Sequence, residues 1–248
     1  MKLLALIPAR YASTRFPGKP LADIGGKPMI QRVYERARAH FADCYVATDD
    51  ERIEQAVRAF SGMVVMTSTT HQSGTDRCAE ALQTIEQQTG RRFDVVVNIQ
   101  GDEPFLQDEH LEKISSLFGD PGTQIATLVK PFSADEDIFN PNSPKVVLSA
   151  SGEALYFSRS AIPFLRGVEA AEWQYKRVYY KHLGLYAYRC DTLREITRLP
   201  QGELEKTESL EQLRWLENGY RIKVAVTHSE SVAIDTPGDL ERVLKSLY

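Results

Sequence analysis

Arg10, Arg15 and Lys19 place three cations on one short stretch, IPARYASTRFPGKPL (7–21), which Pro8, Pro17, Gly18 and Pro20 interrupt. The prolines exclude a helix there, and the polar residues do not alternate as on a strand. Several cations on an irregular loop with free backbone N–H groups suit phosphate oxygens, since an arginine fork grips two oxygens at once. A solvated basic loop is the plainer alternative. The stretch is neither a dinucleotide fingerprint nor a Walker loop. No Gly-x-Gly-x-x-Gly lies near it, and Gly18-Lys19 is followed by Pro20 where Ser or Thr would be needed.

Two carboxylates hold comparable positions. NIQGDEP (98–104) sets Asp102 and Glu103 on a glycine-containing turn behind an apolar run, and AIDTPGD (233–239) sets Asp235 behind another. An aspartate at such a point suits Mg²⁺, which takes one or two carboxylates together with substrate phosphates and water. Capping a helix that starts near Gln107 is the plainer role for Asp102. Spacing alone does not decide whether the two aspartates meet. HQSGTDR (71–77) opens a helical pattern, so Ser73, Gly74 and the nearby amides offer donors to a base or phosphate, or simply cap that helix. The acidic run Asp135 to Asp137 opens a short polar segment and reads as a solvated turn.

These stretches need elements to carry them. LLALI (3–7), CYVAT (44–48), GMVVM (62–66) and FDVVVNI (93–99) are apolar runs of strand length, and residues 28–40, 50–60 and 74–88 between them have helical spacing. This alternation predicts right-handed βαβ units and a doubly wound, mostly parallel α/β sheet, whose ligands bind outside the carboxyl ends of the strands. After residue 120 strands dominate: 123–132, a hairpin over 145–159 and 181–191. Residues 209–219 then read as a helix, 222–227 as a strand and 231–248 as a helix with Pro237 in its first turn. No linker or repeat interrupts the chain. A single domain over 1–248 is expected, with an inserted β-rich subregion near 130–190.

The bulk properties narrow the function. With 248 residues, 42% hydrophobic and 26% charged, the chain has the composition of a globular domain. A net charge of -4 argues against a nucleic-acid binder driven by its overall field. Cys44, Cys78 and Cys190 are scattered and odd in number, which points to neither a disulfide framework nor zinc. No apolar run approaches a membrane span, and the one in MKLLALIPAR is short for a signal peptide, so no membrane partner and a cytoplasmic location are expected.

Taken in order, the stretches above, with ATDD, FNPNSPKVV, ALYFSRSAIPF, KHLGLYAYR, LEQLRWLENG and IDTPGDLERV, resemble the CMP-KDO synthetases, the 3-deoxy-manno-octulosonate cytidylyltransferases, along essentially the whole chain. The resemblance implies a Rossmann-like nucleotidyltransferase fold, Mg²⁺ as cofactor, a homodimer and a role in lipopolysaccharide biosynthesis. The implied reaction transfers CMP from CTP to the anomeric hydroxyl of 3-deoxy-manno-octulosonate (KDO), with pyrophosphate released. It implies a phosphate grip of Arg10, Ser13 and Lys19, with Arg15 as a further cation, and cytosine contacts from Gln72, Ser73, Gly74 and Arg77. Asp102 and Asp235 match the metal ligands, and Gln100 lies between nucleotide and sugar. Arg159, His182, Tyr186, Glu211 and Gln212 match the sugar pocket. A related acid sugar such as sialic acid or 8-amino-KDO, and a non-catalytic nucleotide-binding protein on the same fold, are the competing expectations.

Overall fold

The apolar run behind the N-terminus forms β1 (Leu3–Ala9) in a computed structural model that describes residues 1–12, 16–230 and 233–247. Leu4 to Ile7 are fully buried because parallel neighbours flank the strand on both edges. β2 (Cys44–Thr48) pairs along Ala5 to Ala9, β4 (Val95–Asn98) pairs along Leu3 to Leu6, and β3 (Val64–Met66) lies outside β2. The strand does not stop at Pro8, as the sequence pattern predicts. β4 ceases to pair at Leu6, so Pro8 faces only Ala47 of β2, and its missing N–H is tolerated.

The chain divides into two compact units, the first comprising Met1–Leu111, Tyr188–Thr197 and Glu230–Tyr248. Its strand order β3-β2-β1-β4 reverses between β1 and β4, which is where a doubly wound sheet opens a crevice. The helices α1 (Met29–His40), α2 (Glu51–Ala59) and α3 (Gly74–Thr89) fill the predicted spans. Asp50 caps α2 through the Arg52 N–H (3.0 Å), and Ser73 caps α3 through the Asp76 N–H (3.1 Å). At the chain end, helix Pro237–Leu247 is fixed by a reciprocal cap: Thr236 N–H donates to Asp239 Oδ2 (2.8 Å), and Asp239 N–H donates to Thr236 Oγ1 (3.2 Å). Cys44, Cys78 and Cys190 are buried free thiols.

The second unit, Glu112–Ala187 with Arg198–Ser229, contains the β-rich part. β5 (Ile125–Pro131), β6 (Lys145–Leu148), β7 (Ala154–Ser158), β8 (Tyr180–Arg189) and β9 (Ile222–Val226) follow in chain order; the last two residues of β8 count with the first unit. β5 and β9 are parallel, whereas β6 runs antiparallel to both β7 and β8. The hairpin expected over 145–159 forms as β6 and β7, with Gly152 of its turn at φ +73. Three helices are absent from the sequence reading: Trp173–Lys176, Cys190–Ile196, and Glu203–Glu208, which ends at a left-handed Ser209 (φ +51) and delays the next helix to Gln212–Glu217.

His182, on β8, lies in an aromatic niche of this unit, 5.2 Å from the Phe157 ring and 5.1 Å from Tyr186. The buried Thr127 hydroxyl donates to Leu185 O (2.8 Å), so its oxygen is left to accept from His182 Nε2–H at 2.9 Å. Burial pushes the ring from its ordinary 6.5 down to about 3. The unfolded chain therefore takes up a proton that the folded ring refuses until about pH 3, and acidification through that window favours unfolding. Denaturant melts of wild type and His182→Gln between pH 7 and 3 check this. The wild type should lose up to about 1.4 kcal/mol per pH unit more than the variant at its steepest. Parallel curves would remove His182 as the source.

Candidate active site

Gly101, just past β4, sits so close to β1 that a Cβ there would lie 3.0 Å from the Pro8 carbonyl oxygen. A side chain at this position would push the loop after β4 a few tenths of an ångström away from the end of β1. The two loops bound a cavity of about 380 Å³ in the first unit, at the reversal point of the sheet. Arg10 follows β1 into its wall and Gln100 to Asp102 follow β4, while the start of α3 and the segment at Asp235 complete it.

Lys19 enters from a short 3₁₀ turn, Lys19–Leu21, that begins after a left-handed Gly18 (φ +72). Gly18 N–H donates to Tyr11 O (3.0 Å), and a Cβ on Gly18 would come within 3.1 Å of the Tyr11 ring. That ring carries the Arg52 guanidinium 3.3 Å above its centre, a cation–π contact whose cation is fixed by both oxygens of Asp50 (2.9 and 2.6 Å). The base of the cationic loop is thus anchored, and the lysine side chain is free to extend from a fixed backbone.

Asp102 and Asp235 lie 83 and 216 residues beyond Lys19, and both reach its ammonium. Nζ is 2.6 Å from Asp102 Oδ2 and 3.2 Å from Asp235 Oδ1, with the lysine side chain 14% exposed. The backbone explains the meeting. Ile234 N–H donates to the Asp102 carbonyl (2.9 Å), and Ile234 is fully buried with Ile24, Met29 and Val243. The reciprocal cap at Thr236 then sets the chain direction immediately after Asp235. Asp102 is not a cap, since the following helix starts at Asp108. Among the described residues no cluster of three or more His, Cys, Asp or Glu side chains is arranged for a metal. Two carboxylates without further protein donors suit magnesium bound with phosphates and water, and do not suit a structural zinc.

The wall at the start of α3 is built from two residues one turn apart. Arg77, only 4% exposed, donates to Thr67 Oγ1 (2.6 Å) and Asp49 Oδ2 (2.7 Å). Glu80 accepts from Ser68 N–H (2.9 Å) and contacts the His71 ring. Burial raises the Glu80 carboxyl pKa, and the Ser68 N–H, His71 and Arg77 outweigh it, so the group is held below the ordinary range. His71 lines the cavity and, with Glu80 and Asp49, was missed by the sequence reading. The signal was present in HQSGTDR, whose first residue faces the cavity and whose last braces the loop.

Arg10, Lys19, Gln72, Ser73, Gly74, Arg77, Gln100, Asp102 and Asp235 therefore line one cavity. Ser13 and Arg15 lie outside the described residues. Arg159, His182, Tyr186, Glu211 and Gln212 belong to the second unit. Arg159 donates from Nε to Glu208 O (2.6 Å), from Nη1 to Pro141 O (2.9 Å) and from Nη2 to Ser209 O (3.2 Å). One hydrogen remains on each terminal nitrogen. Lys145, fully buried, ties Asn140 O (2.9 Å) to Arg159 O (2.5 Å), which joins FNPNSPK to YFSR. Tyr186 meets the edge of Trp215, and the buried Gln212 Nε2 has no hydrogen-bond partner in the protein. Glu211 is half-buried and directly precedes the helix Gln212–Glu217.

A family model described as cytidylyltransferase matches residues 4–223. A 3-deoxy-manno-octulosonate cytidylyltransferase of Parabacteroides distasonis is 61% identical, across 100% of this chain and 98% of that protein. One from Phocaeicola vulgatus is 62% identical, across 98% and 96%. A solved structure of CMP:2-keto-3-deoxy-manno-octonic acid synthetase complexed with CTP superposes with a TM-score of 0.90 at 43% identity, covering 100% of this chain and 98% of that one. With its cavity at the sheet reversal and these relatives along its full length, the chain belongs to the cytidylyltransferase family, as a 3-deoxy-manno-octulosonate cytidylyltransferase.

Proposed function

We propose that the cavity of the first unit holds CTP with Mg²⁺, and that the chain transfers CMP to the anomeric hydroxyl of KDO by in-line attack at the α-phosphorus. The convergence of Asp102 and Asp235 on Lys19 carries this reading: a cation is already required where the two carboxylates face each other. Asp102 and Asp235 would hold the magnesium. When bound, the ion would neutralise charge on the phosphate oxygens. Arg10 and Lys19 grip the triphosphate and offset charge that develops on departing pyrophosphate. Ser13 and Arg15 extend that grip. The braced loop of Gln72, Ser73 and Gly74 receives the cytosine, with Arg77 as its stiff backing, and Gln100 stands towards the sugar.

The acceptor's oxygen bonds to the α-phosphorus and its proton passes to solvent, while the bond from that phosphorus to the bridge oxygen breaks and the departing pyrophosphate keeps the electron pair. Arg159 offers its remaining N–H groups to the KDO carboxylate, and Tyr186, Glu211 and Gln212 hold sugar hydroxyls. The unsatisfied Gln212 Nε2 supports this, because a buried donor without a partner gains most from a ligand oxygen. His182, held neutral down to about pH 3, is a poor base near neutrality and orients a hydroxyl by hydrogen bonding.

The physiological setting is part of the same proposal: a cytoplasmic homodimer that supplies activated KDO for lipopolysaccharide. Among the described residues no helix is long and apolar enough to cross a membrane. The dimer face is assigned to the aromatic cluster of the second unit, where the exposed Phe164 (73%) and Phe139 pack on Trp173, with Tyr175 (69%) and Val178 also exposed in the adjoining segment. A second copy of the chain is the occupant that buries it.

Pyrophosphate release with CTP and KDO tests the reaction, with sialic acid and 8-amino-KDO as rival acceptors. Release with KDO at least tenfold faster than with either rival is expected; faster release with a rival would replace the acceptor. Asp102→Asn and Asp235→Asn should each lower kcat about a hundredfold or more with the melting transition still cooperative. Unchanged turnover would rule out the two-carboxylate metal site. Light scattering should give a dimer for wild type and a monomer for Phe164→Asp, and an unshifted mass would move the interface elsewhere.

A further inference from the structure

Lys19 holds the two carboxylates that the proposed function assigns to magnesium, and it does so with no nucleotide bound. We propose that Lys19 is an internal stand-in for the divalent cation: it occupies Asp102 and Asp235 in the free protein and leaves them for the triphosphate when metal and nucleotide enter. This rests on the reading of Asp102 and Asp235 as metal ligands and adds a binding order to it.

The geometry makes the two occupants exclusive. Nζ lies 2.6 Å from Asp102 Oδ2 and 3.2 Å from Asp235 Oδ1. Magnesium bound to the same oxygens at about 2.0–2.1 Å would crowd a second positive charge against the ammonium. One of the two must leave. Lys19 brings its positive charge to within hydrogen-bonding distance of both carboxylates, so in the free protein it stands where a divalent cation bound to the same oxygens would lie.

The lysine is also built to move. Its backbone is fixed in the turn closed by Leu21 N–H to Gly18 O (2.8 Å), whereas the four-carbon stem ends in a single point charge that needs no planar fit. Arg10 and Lys19 line the same cavity, so a triphosphate bound at Arg10 lies within the space the ammonium can sweep. Metal pushes Lys19 off the carboxylates and phosphate draws it away. Each ligand therefore removes part of the other's barrier, and the coupling is reciprocal. The free protein, in turn, binds metal weakly and does not trap it before nucleotide arrives.

Mn²⁺ binding followed by electron paramagnetic resonance, with no nucleotide present, tests this without turnover. Lys19→Met should bind Mn²⁺ about tenfold or more tightly than wild type, because the two competing ion pairs are gone. Lys19→Arg, which keeps a cation, should stay near wild type. Thermal melts give a second reading that survives a less stable variant: Lys19→Met should melt lower when metal-free and gain more from added Mn²⁺ than wild type does. Equal or weaker Mn²⁺ affinity in Lys19→Met overturns the stand-in role. Adding Asp102→Asn or Asp235→Asn to Lys19→Met should abolish the tight binding. Tight binding that persists there overturns the metal reading itself, and the stand-in role with it.

Discussion

The first unit is organised around an electrostatic constraint: Asp102, near the middle of the chain, and Asp235, near its end, share the Lys19 cation. Like charges at about 4 Å repel by about 1 kcal/mol in water and about 4 in a partly buried site, so a shared cation favours bringing the pair together. Lys19 supplies one. Everything that brings the three together is packing and backbone hydrogen bonding away from the charges. Buried Ile234 is tied to the Asp102 carbonyl, the Thr236–Asp239 cap holds the chain beyond Asp235, and Gly101 lets the β4 loop close on β1. The cost of holding charges close is thereby borne by a core that does not respond to them.

The same division appears across the cavity. α3 begins at the wall, and its polar side chains Arg77 and Glu80 turn back to brace the loop that precedes it. A buried guanidinium needs a carboxylate, and Asp49, at the end of β2, provides it at 2.7 Å. The backbone at Gln72 to Gly74 is therefore held by groups that need not touch a ligand. Pre-organisation of this kind lets a loop present amides to an anion or a base without ordering them at the moment of binding.

Sites at strand ends were legible in the sequence because parallel α/β sheets put chemistry there: Arg10 after β1, Gln100 to Asp102 after β4, and Asp235 behind its apolar stretch. Strand and helix spans of the first unit followed from unbroken apolar runs and helical spacing. Three things were not legible. Pro8 reads as a strand end because the pattern cannot reveal that β4 stops pairing before it. Helix Glu203–Glu208 has only Glu205 buried, so no apolar stripe announces it. The meeting of Asp102 and Asp235 depends on the Ile234 hydrogen bond, a long-range contact that no local spacing encodes. Arg77 shows a subtler gap: it lines the cavity, and its type does not reveal that its guanidinium is also held by Thr67 and Asp49.

The second unit solves a different problem with the opposite means. Where the first gathers charge, the residues proposed to meet the sugar are held by neutral contacts: His182 by Thr127 and aromatic rings, Arg159 by three backbone carbonyls, Tyr186 by Trp215. Carbonyls fix a guanidinium without neutralising it, whereas a carboxylate partner would compete directly with an acidic ligand. Glu208 illustrates the rule, because its side chain accepts from Ser158 Oγ and Arg159 N–H and leaves the guanidinium to its backbone carbonyl. The Arg159 side chain thus meets backbone carbonyls rather than a carboxylate, and burial keeps His182 uncharged. A site that must accept an acid sugar beside a triphosphate needs its positive charge concentrated in few, firmly positioned groups.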